Sequence, residues 1–189
     1  FNPAHKGHLY ISNQALKRLN LNYIWWVVAP QNPLKRLSDM ISFDDRLQIA
    51  RKLASRNRRI IINEFEQVFG TKYTADTLQQ IVSKYPKFDF VWLMGADNLL
   101  QISRWERWTS IFDTMPVAVF GRPSYSVRAL RSKAARVLAN HYIAGQNAKN
   151  LTNRKPPVWT FFVIPENPES GTKIRLNSDS ADNPRQQTF

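Results

Sequence analysis

The chain has 189 residues, 43% hydrophobic and 12% aromatic, enough for one domain with a proper core and too apolar for a disordered chain. It holds no cysteine, which excludes disulfides, thiolate metal sites and cysteine nucleophiles, and no apolar run nears the roughly 20 residues of a membrane span; both suit a cytoplasmic protein. Lys and Arg outnumber Asp and Glu by 27 to 14, a formal charge of +13 that suits anionic ligands, although a solvated basic face accounts for it more simply than a dedicated nucleic-acid surface.

The first nine residues, Phe1-Asn2-Pro3-Ala4-His5-Lys6-Gly7-His8-Leu9, read as a rigid turn that opens a helix with Leu9, Leu16 and Leu19 on one face. A strand is expected over Ile24–Ala29 (IWWVVA). A helix follows, capped by Ser42, with Leu47, Ala50, Leu53 and Ala54 sharing a face. Ile60–Asn63 reads as a strand. After it, Thr74 is expected to cap a helix carrying the stripe Leu78, Ile81, Val82 and Tyr85, with Asp76 complementing the helix dipole. Strands are then expected over Phe88–Met94, Val117–Phe120 and Trp159–Ile164. One helix is expected to place Val127, Leu130, Ala134, Val137 and Leu138 on a single stripe.

The strand candidates are near-continuous apolar runs, as strands covered on both faces are. Their alternation with helices predicts an α/β fold: a Rossmann-like, doubly wound, mostly parallel sheet with flanking helices. Ligands of such sheets sit beyond the carboxyl ends of the strands. Residues 1–175 are the expected domain, and the polar, aperiodic stretch 176–189 reads as a tail. The dinucleotide-binding strand order puts a first, central strand ahead of the histidine motif. Since the chain starts with Phe, about 8–15 further N-terminal residues are expected in the natural protein.

Several stretches carry candidate chemistry. Imidazoles at His5 and His8 can donate to phosphate oxygens, Gly7 lets the backbone come close, and a helix start favours anions. The alternative is two ordinary surface histidines. Zinc suits the pair poorly, because only His141 could add an imidazole. Gly95-Ala96-Asp97-Asn98 follows a strand, with Trp105 eight positions beyond Asp97; the carboxylate can meet a ribose hydroxyl or cap a short helix, and Trp105 can stack on a ring or fill the core. Lys35 is a phosphate contact or a solvated lysine. Ser170-Gly171-Thr172-Lys173-Ile174-Arg175 offers hydroxyls, N–H groups and a guanidinium to a triphosphate.

In order, these stretches resemble the signatures of the HxGH nucleotidylyltransferase superfamily, and specifically the bacterial nicotinate-nucleotide adenylyltransferase family. Phe1–His8 is similar to the second part of GxFxPxHxGH, and Gly95–Trp105 to G-x-D-x(7)-W. Tyr73-Thr74-Ala75-Asp76-Thr77-Leu78 is similar to the family's Y/T-T-x-D-T-L element, Gly121–Tyr125 to ARPGY, and Ser170–Arg175 to SSTxIR. Glu169 stands where isoleucine is usual, Gly171 replaces a serine, and Ser124 replaces a glycine.

The resemblance implies transfer of AMP from ATP to nicotinate mononucleotide, giving deamido-NAD and pyrophosphate in NAD biosynthesis. It implies catalytic roles for His5, His8 and Arg175. ATP would meet His5, Gly7, His8, Gly95, Asp97, Ser170, Thr172 and Arg175; nicotinate mononucleotide would meet Asn2, Lys35, Tyr73, Thr74, Trp105 and Arg122. Mg²⁺ would arrive bound to ATP phosphates, without a protein metal site. The expected partners are the two substrates, with neither membrane nor nucleic acid, and a homo-oligomer is compatible with the reading. The alternatives are a nucleotidylyltransferase for nicotinamide mononucleotide or phosphopantetheine, and a non-catalytic basic module for RNA or protein.

Overall fold

The structure, a computed structural model, describes residues 3–30, 41–121 and 123–165, and for 123–125 the backbone only. Asn2, Lys35, Arg122, Ser170, Thr172, Arg175 and the stretch 176–189 lie outside the described residues.

Six strands are present among the described residues: β1 (Ile24–Val27), β2 (Ile60–Asn63), β3 (Trp92–Gly95), β4 (Val117–Gly121), β5 (Tyr142–Ala144) and β6 (Trp159–Val163). Every pairing is parallel. β1 pairs with β2, Ile24 opposite Ile60, and the other four run in the order β3-β4-β6-β5. The helices are α1 (Lys6–Arg18), α2 (Phe43–Ala54), α3 (Phe65–Phe69), α4 (Thr74–Lys84), α5 (Ala96–Gln101), α6 (Trp108–Thr114), α7 (Pro123–Leu130) and α8 (Lys133–Val137).

Period-two alternation sends successive strand residues to two separate cores. Ile24, Trp26, Ala118, Phe120 and Phe162 pack with Leu16 of α1 and Leu47 of α2. Their neighbours Met94, Val117, Val119, Trp159 and Phe161 pack with Leu78 and Ile81 of α4 and Ile111 of α6, and Trp25 and Val27 lean on that same core. Because β1 and β3 each contribute to both cores, the two groups of strands form one layer with helices on both faces. That is the Rossmann-like α/β arrangement expected, and it explains why the strands carry no polar face. A buried hydrogen bond from Trp26 Nε1 to Ser12 Oγ, 2.8 Å, fixes α1 on β1.

Two expectations need correction, and one strand was not foreseen. The strand expected over Phe88–Met94 is confined to Trp92–Gly95. Phe88 N–H closes a turn onto Tyr85 O, and the Phe88 and Phe90 rings instead gather on Trp25, with centroids 5.7 and 5.2 Å away. The stripe from Val127 to Leu138 does not lie on one helix. Ser132 ends the run and caps α8 by accepting from Ala135 N–H, which shifts the phase, so Val127, Leu130 and Val137 face solvent while Ala129, Ala134 and Leu138 are buried. β5, three residues between short 3₁₀ turns, has no periodicity long enough to announce it. The expected Ser42 cap is present, accepting from Asp45 N–H at 3.1 Å.

Candidate functional site

The start of α1 is built from its own histidines. His5, extended at φ −147° and ψ 172°, is the N-cap, and its Nδ1 accepts from Gly7 N–H at 3.1 Å. His8 reaches back so that its Nδ1 accepts from His5 N–H, also at 3.1 Å. This is a reciprocal capping box made by two imidazoles instead of a hydroxyl and a carboxylate. Nδ1 of each ring serves as an acceptor, so the proton of each neutral ring resides on Nε2. The ring centroids are 3.9 Å apart. Burial, reinforced by His5, lowers the pKa of His8 to about 3, so at neutral pH this ring acts as an uncharged donor.

One cleft brings together all of the predicted residues that are described: His5, Gly7, His8, Tyr73, Thr74, Gly95, Asp97 and Trp105 line it. Asp97 lies in the first turn of α5, directly beyond the carboxyl end of β3. A Cβ on Gly95 would sit 2.3 Å from Asp97 Oδ1, so glycine is what lets the carboxylate fold back over the backbone there.

At α4 the capping expectation is corrected. Tyr73, extended at φ −111° and ψ 140°, is the N-cap and makes no side-chain cap bond. Thr74 already has helical backbone as the first residue of the helix. The hydroxyl of Thr77 donates to Tyr73 O at 3.2 Å and pairs with Thr71 Oγ1 at 2.7 Å, tying the preceding turn to the helix. Trp105 combines its two sequence readings. It leans on the core, meeting the Trp92 ring edge-on at 6.0 Å, and it also lines the cleft. Its Nε1 is buried without an acceptor among the described residues.

Two cleft residues escaped the sequence reading. Arg46 is only 2% exposed. Its guanidinium donates to Pro30 O at 2.6 Å and to Ala29 O, and its Nε bridges Ile41 O at 3.1 Å and Ser42 O at 3.3 Å. Burial raises the Glu66 carboxyl to about 7, while Arg46 works in the opposite direction. Backbone carbonyls as far as 17 residues away leave no sequence signature for such a clamp. Among the described residues, no group of three or more His, Cys, Asp or Glu is placed to hold a metal, and no helix is long and apolar enough to cross a membrane.

A parallel, doubly covered sheet with an imidazole pair at one helix start and a glycine–acid turn at a strand end defines a Rossmann-like protein of the nucleotide-handling class. The cytidylyltransferase-like family model matches residues 1–177. A protein of Parvibaculum lavamentivorans named as a probable nicotinate-nucleotide adenylyltransferase is 45% identical over 175 residues, 93% of this chain and 87% of that protein. One of the same name from Agrobacterium fabrum is 40% identical, covering 94% of each chain. The solved structure of Plasmodium falciparum nicotinic acid mononucleotide adenylyltransferase complexed with NaAD shares the fold, with TM-score 0.67 at 16% identity over 93% of this chain and 78% of that one. The chain belongs to the cytidylyltransferase-like family, within its bacterial nicotinate-nucleotide adenylyltransferases.

Proposed function

We propose that the chain transfers AMP from ATP to nicotinate mononucleotide, releasing pyrophosphate and forming nicotinate adenine dinucleotide, in the cytoplasm. What carries the reading is one cleft that gathers an imidazole pair, a carboxylate at a strand end and an aromatic ring beside a helix start. A phosphate oxygen of the mononucleotide attacks the α-phosphorus of ATP, the bond to the bridging oxygen breaks, and pyrophosphate leaves with that electron pair. No covalent enzyme intermediate is needed, so catalysis rests on positioning and on charge stabilisation.

The Nε2–H groups of His5 and His8 donate to phosphate oxygens as negative charge shifts toward the leaving group. Asp97 meets the adenosine end. Thr74 and Tyr73, at the first turn of α4, and the Trp105 ring receive the nicotinate. Arg175 with Ser170 and Thr172 holds the β- and γ-phosphates, and Asn2, Lys35 and Arg122 approach the mononucleotide. Mg²⁺ would enter as the ATP complex, with phosphate and water as its ligands. There the ion would supply charge neutralisation.

The test is a paired assay with Mg·ATP and either nicotinate or nicotinamide mononucleotide, following dinucleotide by chromatography. The expected result is dinucleotide formation with a clear preference for nicotinate. Equal use of both substrates, or no product from either, would overturn the assignment.

A further inference from the structure

Thr74 and Trp105 line the cleft from segments far apart in sequence, and an ion pair joins those segments. Arg107, two residues after Trp105, donates through its guanidinium to Asp76 Oδ1 at 2.5 Å. Asp76 is the third residue of α4, the helix that begins at Thr74. Arg107 reaches it from a left-handed backbone, φ 47° and ψ 41°, an uncommon conformation for a side chain with a Cβ. From that conformation it precedes α6, and its carbonyl accepts from the N–H and the hydroxyl of Ser110.

The side chains are 50% and 33% exposed, so the pair contributes little to global stability. Its electrostatic consequence is larger locally. Asp76 puts a carboxylate in the first turn of α4, where the helix dipole otherwise favours an incoming anion. Left alone, that charge would compete with any ligand carboxylate at the same helix end. Arg107 neutralises it and holds the Trp105 turn against α4.

We propose that Asp76 and Arg107 are positioning residues that set the preference for a carboxylate over a carboxamide on the pyridine ring, a role that rests on the adenylyltransferase reading above. Arg107→Ala leaves Asp76 uncompensated and unties the two walls. Asp76→Asn together with Arg107→Ala removes the repulsion but not the slack.

Steady-state kinetics with both mononucleotides test this, alongside thermal melts of each variant. Arg107→Ala should raise KM for nicotinate mononucleotide about three- to fivefold, a size in keeping with one uncompensated charge at an exposed helix end. KM for nicotinamide mononucleotide should rise less, and kcat and KM for Mg·ATP should stay within about twofold. The double variant should recover much of the lost preference, and Arg107→Lys most of it. An unchanged preference in a folded Arg107→Ala protein overturns the proposal alone. Wild-type protein that makes no dinucleotide from nicotinate mononucleotide overturns the enzymatic reading, and the proposal with it.

Discussion

His8 both caps a helix and faces the reaction, and the two tasks can be separated by substitution. Gln at the third position of a capping box also reaches the N-cap N–H, so His8→Gln keeps the local structure while removing the imidazole. The pKa shift gives this site a pH signature. The folded value near 3 lies below the ordinary value of 6.5, so between those limits the unfolded chain binds a proton that the folded chain refuses. Stability therefore falls as pH drops from about 6.5 toward 3, by roughly 1–2 kcal/mol at pH 5 from this residue. Melting temperatures from pH 7 to pH 5 should fall more steeply for wild type than for His8→Gln; parallel curves would contradict the assigned burial. Gly95→Ala tests the neighbouring turn. The added methyl displaces the flexible Asp97 carboxylate, so KM for ATP should rise about fivefold with the melt little changed, the cost of one misplaced hydrogen bond. The histidine motif was legible because its parts lie within four residues. Its tautomers were not, since they depend on which backbone N–H groups the rings accept.

The elements that position the cleft were legible where local signals agree with packing. Apolar runs marked five of the strands, and Ser42 marked the start of α2. The α7–α8 region misled because Ser132 prefers a cap to a helix interior, and a cap in mid-run rotates every later residue. The Arg46 clamp joins α2 to the end of β1 through pairings that no periodicity encodes. Arg46→Ala leaves half-buried carbonyls at residues 29, 30 and 41 without this donor, and should cost about 1–3 kcal/mol by denaturant titration. A loss below 0.5 kcal/mol, the usual scale of a surface change, would show that the clamp is dispensable.

For the whole molecule, the alternation of strands and helices on a parallel sheet was readable from the sequence because each strand is covered on both faces. The cleft where the separated motifs converge was expected as the crevice beyond the strand ends. Its lining by Arg46 and Glu66 emerged from the three-dimensional packing. The central claim is that the uncharged His8 imidazole, beside His5 in this cleft, stabilises phosphate transfer through its Nε2–H. Its most direct test compares wild type and His8→Gln at pH 7.5 for dinucleotide formed from Mg·ATP and nicotinate mononucleotide, with far-UV circular dichroism run in parallel. The predicted result is matching spectra and turnover reduced by at least ~10²-fold, the scale of losing one preorganised donor. Matching spectra with turnover within a few-fold of wild type would contradict it.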